Sequence, residues 1–191
     1  VLFGVELGLM KHLGERLHAF LDRKNFDFVI GSSHLVDGKD PYFPEYFAEF
    51  GGKNGILRYF ESIVENLGAF SDFDVYGHID YVVRYSPEKC YNPLDFREIL
   101  DEILRKIIAL GKGIEINTAP LRKGLSHANP HPFILKRYRE LGGEIITVGS
   151  DAHNIEDIAA DFDIAEKTLI DAGFRYYAVF RERKPIFKRL G

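Results

Sequence analysis

Apolar residues along the chain follow two alternating patterns. Short runs of apolar and β-branched residues, typical of buried strands, alternate with longer segments in which apolar residues recur at helical spacing. The six predicted strands cover residues 1–7, 26–30, 73–76, 113–117, 144–148 and 176–180. The five predicted helices between them cover residues 12–23, 56–67, 96–110, 133–141 and 155–172.

Strict alternation of strands and helices favours an α/β fold with a parallel sheet, either doubly wound or closed into a barrel. Residues 35–52 are rich in Gly, Pro, Asp and aromatic side chains and are predicted to form an irregular loop, long enough to cover a site. The last residues, from Arg181 onward, are predicted to form a basic tail. Since no linker or low-complexity stretch interrupts the pattern, we expect residues 1–191 to form one domain.

The net charge, the cysteine content and the length of the apolar runs each disfavour certain classes of protein. A net charge of −4 gives no reason to expect nucleic acid or an anionic membrane surface as a partner. The single cysteine, Cys90, excludes an intramolecular disulfide, and no apolar run is long enough to span a bilayer, so we expect a cytoplasmic protein. The chain begins inside a predicted strand without an initiator Met, and we expect it to be a fragment.

Polar side chains that can bind metals or move protons lie at the same end of five successive strands. They are Glu6, His34, His78, Asp80, Glu115, Asn117, Asp151 and His153. In parallel βα folds the carboxyl ends of the strands form the functional face. Because His, Asp and Glu occur without clustered Cys, they suit a zinc, manganese or iron site rather than a thiolate structural site.

Each of these residues also has a structural interpretation when it is taken alone. Asp151 with His153 is typical of a helix N-cap beside a surface histidine. Glu6 alone fits a solvated carboxylate at a strand end, and His34 or His78 alone fits a buried histidine with satisfied hydrogen bonds. Their joint occurrence disfavours these interpretations, because several polar groups would otherwise crowd one face without partners.

The remaining histidines are expected to lie outside the metal-binding set. His12 and His18 fall within or beside a helix and are predicted to be exposed or at the rim. His131 precedes Pro132 at a predicted helix start, and His127 lies in the loop before it. Contact of His127 or His131 with a substrate is the less favoured alternative.

Arg122 and Lys123 follow the fourth predicted strand in a loop that ends in glycine. An arginine can donate to two phosphate oxygens at once and a lysine supplies a point charge, although a solvated surface pair is an equal alternative. The sequence has no Walker loop and no Gly-x-Ser-x-Gly elbow, and Cys90 lies in a proline-flanked loop without an evident base.

Five motifs occur in the order found in a known family. They are Gly4-Val-Glu6-Leu, the Gly-Ser-Ser-His34 turn, Gly77-His78-Ile-Asp80, Glu115-Ile-Asn117-Thr with Leu121-Arg122-Lys123-Gly124, and Gly149-Ser-Asp151-Ala-His153. The chain thereby resembles the polymerase and histidinol phosphatase (PHP) superfamily over nearly its whole length. The segment from Glu115 to Gly124 is the part specific to the histidinol-phosphatase branch.

This resemblance implies an α/β fold of the distorted (β/α)7 TIM-like barrel type, with up to three divalent transition metals at the carboxyl ends of its strands. It further implies hydrolysis of histidinol phosphate in histidine biosynthesis, with metals that bind the phosphoryl oxygens and lower the pKa of an attacking water. By the same resemblance Glu6, His34 and His78 bind one metal, Glu6 bridges to a second, and Asp151 and His153 serve the remaining two.

The beginning of the chain departs from the family pattern. The family starts with a His-x-His strand that does not precede Val1, so about the first two βα units are missing. From this we expect one tightly held metal, bound by Glu6, His34 and His78, and weak activity of this polypeptide alone. We also expect an exposed backbone edge at residues 1–7, covered by a neighbour or by residues outside this sequence.

The resemblance suggests roles for the other polar residues. Arg122, with Lys123, is expected to bind the phosphate, and Asn117 to orient the substrate. Asp80 is a candidate for proton transfer to the leaving alkoxide or for orientation of a ligand histidine. The expected partner is a small phosphate ester, and a homo-oligomer stays open. The alternatives are a superfamily phosphoesterase that acts on nucleic-acid ends or other small phosphate esters, and a metal-free structural or interaction module.

Overall fold

The computed structural model describes residues 1–87 and 91–191. Five parallel strands lie in chain order in one sheet, which confirms the predicted α/β class. They are β1 (Gly4–Gly8), β2 (Phe28–Ser32), β3 (Val75–Tyr76), β4 (Gly113–Asn117) and β5 (Ile146–Gly149). A separate antiparallel hairpin consists of β6 (Tyr176–Arg181) and β7 (Lys184–Arg189).

Helices follow the strands of the parallel sheet. They are α1 (Gly14–Leu21), α2 (Pro44–Phe50), α3 (Gly52–Ala69), α4 (Arg97–Ala109), α5 (Ala119–Arg122), α6 (Pro132–Glu140) and α7 (Phe162–Asp171). As predicted, α4 ends before Gly111, which has a φ of 69° that a glycine adopts without strain. Helix α6 begins with Pro132, and the Nδ1 atom of His131 accepts a hydrogen bond from the Phe133 N–H, which confirms the predicted helix start.

The two faces of the parallel sheet bury different kinds of side chain. The outer face belongs to the main hydrophobic core together with the inward sides of the helices, through Leu7, Val29, Tyr76, Ile114 and Ile146. On the inner face, the amino-terminal half of the sheet packs against β6 through Phe28, Ile30, Val75, Ala178 and Phe180. The inner face also carries the polar side chains of Glu6, in register with Ile30, and Glu115.

The prediction that residues 176–180 join the parallel sheet, and that a basic tail follows, is wrong. These residues form β6, which pairs with β7 instead. The turn between them uses Glu182 and Arg183, with φ values of 49° and 63°. The Nε atom of Arg183 lies 2.7 Å from Oδ2 of Asp74, and the Glu182 N–H donates to Asp27. Arg183, one of these basic residues, is thus paired with the buried carboxylate of Asp74. The pair lies at the opposite end of the sheet from the predicted site.

Two further predictions about local structure are corrected. The predicted loop at residues 35–52 contains α2, which Pro44 begins. The helix predicted over residues 155–172 begins only at Phe162. Before it, Ala159 and Asp161 have φ values of 58° and 60°, in the left-handed region that ends a regular helix. The helical period extends back to Ile155, but that side chain is 83% exposed and packs against no core.

Strand β1 lies at one edge of the five-stranded sheet. Its partner on the other side is β2, in register from Gly4 with Phe28 to Gly8 with Ser32. Within residues 1–87 and 91–191, no helix combines the length and the apolar character needed to cross a membrane. Cys90 lies outside the described residues.

Candidate metal centre

Glu6, His34 and His78 come together at the carboxyl ends of the first three strands. The Oε1 atom of Glu6 lies 3.0 Å from Nε2 of His78 and 3.5 Å from Nε2 of His34. One ligand atom from each residue lies within 4.8 Å of the others. The structure thus brings these three predicted residues together, and two imidazoles with a carboxylate are a common donor set for zinc, manganese and iron.

The sheet positions these side chains. Glu6 pairs in register with Ile30 on the inner face, and the Ser32 hydroxyl donates a 2.7 Å hydrogen bond to Oε1 of Glu6. His78 follows β3 with a φ of 27°, a conformation that non-glycine residues rarely adopt. Such strained backbone is concentrated at functional sites because the surrounding structure must hold it in place.

The charged and titratable groups of the cluster shift one another's pKa values. Burial raises the pKa of Glu6, but the hydrogen bond and charge of His78 and the Ser32 hydroxyl outweigh it and lower the pKa to about 2. Burial and the neighbouring His78 lower the pKa of His34. Burial opposes protonation of His78, but its hydrogen bond to Glu6 and the charge of Glu115 raise its pKa overall. The carboxylate therefore stays ionised and ready to bind a cation.

The cluster fits a divalent metal for a second reason. The His78 side chain is only 8% exposed, and its Nδ1 atom is buried without a hydrogen-bond partner in the described part of the chain. A buried nitrogen without a partner costs free energy, which a bound ligand can offset. Together with the convergent donors, this atom shows that the residues present suit a metal ion.

Asp151 and His153 follow β5 and lie apart from this cluster. Their contact with each other is 3.3 Å, from Nε2 of His153 to Oδ1 of Asp151, and the His153 side chain is 82% exposed. Because β5 is parallel to the other strands, Asp151 nevertheless lies at the same edge of the sheet, and its charge acts to raise the pKa of both His34 and His78. Asp151 has a φ of 48°, the second strained residue of the predicted set.

Glu115 is a buried carboxylate on the inner face of β4. Burial raises its pKa above the ordinary value, and it accepts a 3.3 Å hydrogen bond from the Asn117 amide. Gly149 makes room for it, because a Cβ at that position would lie 2.3 Å from Oε1 of Glu115. The Oδ1 atom of Asn117 accepts a hydrogen bond from the Ala119 N–H. Both the nitrogen and the oxygen of this predicted substrate-binding side chain therefore contact the protein.

Asp80 is fully buried beneath the site. Its Oδ2 atom accepts a 2.8 Å hydrogen bond from the His131 N–H, while Oδ1 is buried with no partner in residues 1–87 and 91–191. Burial raises its pKa to about 6. The carboxylate is fully buried and its hydrogen bond comes from the His131 backbone, so proton transfer to the leaving group and orientation of a ligand histidine both stay predictions.

Arg122 contacts the segment that carries Asp151. Its Nη2 atom donates a 2.6 Å hydrogen bond to the Ser150 carbonyl, and its Nε atom lies 3.1 Å from Oδ1 of Asp157. A longer contact of 3.9 Å joins its Nη1 atom to Oδ2 of Asp161. Lys123, the other predicted phosphate-binding residue, is exposed.

Comparison with known proteins agrees with this geometry. The family model described as the PHP domain matches residues 1–119. The chain belongs to the PHP family.

The relatives of this PHP domain include a protein from Clostridium acetobutylicum named a probable histidinol-phosphatase. It is 36% identical over 188 residues, a match that covers 96% of this chain and 72% of the relative. A histidinol-phosphatase of Lactococcus lactis is 30% identical, with 95% of this chain and 68% of the relative covered. The family resemblance seen in the motifs is thus confirmed.

A solved structure has the same fold. It is histidinol phosphate phosphatase from Lactococcus lactis, complexed with zinc, L-histidinol and phosphate, with a TM-score of 0.80 and 27% identity. The match covers 95% of this chain and 70% of that one.

Two residues near the centre of this PHP domain had no signal in the sequence that singled them out. Ser32 holds Glu6, although only its place in the Gly-Ser-Ser-His34 turn was evident. The Tyr81 ring lies 5.1 Å from the His34 ring and 5.3 Å from the His78 ring, measured between centroids. A tyrosine after a strand is ordinary in sequence, and its position becomes informative only in the folded chain.

Proposed function

We propose that this protein is a metal-dependent phosphomonoesterase that hydrolyses histidinol phosphate to histidinol and phosphate, a step of histidine biosynthesis. The observation that carries the proposal is the convergence of Glu6, His34 and His78 at the carboxyl ends of neighbouring strands. The relatives named histidinol-phosphatase and the similar structure with zinc, L-histidinol and phosphate support the substrate.

The metal is proposed to be zinc, manganese or iron, with up to three ions in the intact site. When bound, such an ion polarises phosphoryl oxygens and makes a water molecule acidic enough to attack phosphorus at neutral pH. Glu6, His34 and His78 would hold one ion, and Ser32 keeps the Glu6 carboxylate turned towards the two histidines. Asp151 and His153 are proposed as ligands of the others.

The remaining site residues position groups around the reaction. Arg122 and Lys123 are proposed to bind the phosphate, because Arg122 contacts Ser150 at the end of β5, next to Asp151. Asn117 is proposed to orient the substrate, directly or through Glu115, which its amide contacts. Asp80, which accepts a hydrogen bond from the His131 N–H, is proposed to orient a ligand histidine or to transfer a proton to the leaving alkoxide.

The finer features of fold and partners are proposals as well. The five-stranded parallel sheet is proposed to be part of a distorted (β/α)7 TIM-like barrel. The partner is proposed to be a small phosphate ester rather than nucleic acid, because the net charge is −4 and phosphate backbones require basic surfaces. The protein is proposed to act as a monomer or as a homo-oligomer.

Phosphate release from histidinol phosphate tests the proposal. Full-length protein loaded with manganese or zinc should release phosphate from this ester, and chelation should abolish the release. Single-stranded DNA offered under the same conditions should stay intact. Cleavage of DNA with histidinol phosphate untouched would overturn the substrate, and activity that persists after complete chelation would overturn the metal dependence.

A further inference from the structure

The segment of residues 150–161 connects β5 to α7 and carries Asp151 and His153. It has little apolar packing of its own, since Ile155 is 83% exposed and Ile158 is 67% exposed. Three of its residues have positive φ values, namely Asp151, Ala159 and Asp161. A segment with this backbone and few buried contacts depends on polar contacts to keep one conformation.

Those contacts come from the chain around α5. The Arg122 guanidinium donates to the Ser150 carbonyl, lies 3.1 Å from Asp157 and faces Asp161 across 3.9 Å without a hydrogen bond, so its contacts span both ends and the middle of the segment. The Thr118 hydroxyl adds a 2.7 Å hydrogen bond to the Ala160 carbonyl. One planar cation with several fixed N–H directions therefore joins three points of a segment that otherwise has little packing.

The Arg122 contacts are partly shielded from water. The exposed fractions of the side chains are 22% for Arg122, 29% for Asp157 and 30% for Asp161. Charge pairs at this depth are screened less than pairs on an open surface. The two carboxylates hold the guanidinium at the end of β5, where Asp151 also lies.

We propose that Asp157 and Asp161 are positioning residues of the phosphatase site. They hold Arg122 between α5 and the segment of residues 150–161, and through it they fix where Asp151 and His153 lie relative to Glu6, His34 and His78. This inference rests on the proposed function for its catalytic consequence, but its structural part concerns only residues of this chain.

The test is the double variant D157N/D161N in the full-length protein, which removes two charges and keeps the size of both side chains. Amide hydrogen exchange in residues 150–161 should become roughly 10-fold faster, while exchange in β1 to β4 stays unchanged. With histidinol phosphate as substrate, kcat should fall roughly 10-fold, the usual range for residues that orient ligands, with a smaller change in KM.

Asp163→Asn is the matched control, because Asp163 lies in the first turn of α7 and is exposed. It should leave exchange and kcat unchanged. The R122K variant should behave like the double variant, since the compact ammonium group of lysine lacks the planar fork with which Arg122 contacts Ser150 and Asp157 together. If exchange in residues 150–161 is the same in D157N/D161N as in the unmodified protein, the positioning role is wrong.

The measurements of kcat and KM distinguish a failure of this inference from a failure of the proposed function. If the unmodified protein fails to release phosphate from histidinol phosphate, the function fails, while faster exchange in D157N/D161N still supports the positioning role. If instead the double variant binds substrate more tightly, with lower KM and unchanged exchange, the two aspartates compete with phosphate for Arg122. That result would overturn the inference.

Discussion

The two groups of predicted metal ligands are held in different ways. Glu6, His34 and His78 lie on or just after strands of one sheet and contact each other, and the His78 side chain is 8% exposed. Asp151 and His153 lie on a connecting segment, contact only each other within the set, and His153 is 82% exposed. A ligand whose position follows from strand register is preorganised, whereas a ligand on a connecting segment depends on the contacts that hold the segment.

The largest expected effect is on the preorganised group. His78→Ala removes a buried proposed ligand, so we expect phosphatase activity to fall by at least about 100-fold and tightly held metal to be lost, more than the loss usual for outer partners. Metal content after dialysis and phosphate release measure this. His12→Ala is the control, because His12 is exposed, and it should retain both metal and activity. Retention of metal by the His78 variant would contradict the assignment.

A smaller but still large effect is expected where the sheet makes room for the centre. Gly149→Ala places a Cβ 2.3 Å from Oε1 of Glu115, so the buried carboxylate must move or the strand must shift. We expect a loss of about 1–3 kcal/mol in the free energy of unfolding, the usual cost of overpacking. Urea denaturation measures it.

The matched control for this change is Gly68→Ala. Gly68 lies in α3 with no atom within 4 Å of an added Cβ, so alanine should be neutral or stabilising there. Equal effects of the two substitutions would show that the space opposite Glu115 is not needed.

The contact between Glu6 and His78 should also appear in the pH dependence of stability. The folded pKa of Glu6 is about 2, below its ordinary value of 4.5, so its contribution is complete above pH 4.5 and is lost as the pH falls towards 2. Chelated Glu6→Gln protein should therefore lose less stability over this interval than chelated unmodified protein. Urea midpoints at several pH values measure the difference, and Glu15→Gln, at an exposed carboxylate, should follow the unmodified protein.

The smallest effect is expected from the connecting segment. His153→Ala should change metal affinity at Glu6, His34 and His78 by less than about threefold, because an exposed imidazole outside that group adds little to its binding free energy. Titration calorimetry with zinc measures the affinity of the tightest site. A loss as large as that of His78→Ala would show that the two groups form one site and would remove the distinction between them.

The sequence predicted the preorganised group because its signals are local. The apolar runs placed Glu6, His34 and His78 at the ends of successive strands, and parallel strands have their carboxyl ends on one side. The register of the strands then places these residues next to one another. This placement does not depend on which loops pack against them. The same signals predicted the start of α6 at Pro132.

The parts that sequence could not predict depend on distant contacts. The basic run at β7 has the appearance of a solvated tail until Asp27 and Asp74, which are far away in the chain, fix the turn at Arg183. The helical period before Phe162 is real, but the left-handed backbone of Asp161 and the contacts of Arg122 override it. Neither the sequence of the β6–β7 hairpin nor the sequence before Phe162 contains a pattern that indicates these distant partners.

The turn at Glu182 and Arg183 also has a consequence for how the chain is synthesised. Arg183 reaches Asp74 across 109 residues, and Glu182 reaches Asp27 across 155. A ribosome releases the strands that carry the metal ligands well before the residues that fix the opposite end of the sheet. Contacts so distant in sequence form late. A nascent chain arrested before residue 182 would therefore hold Asp74 without the Arg183 guanidinium, and β6 without its partner strand β7.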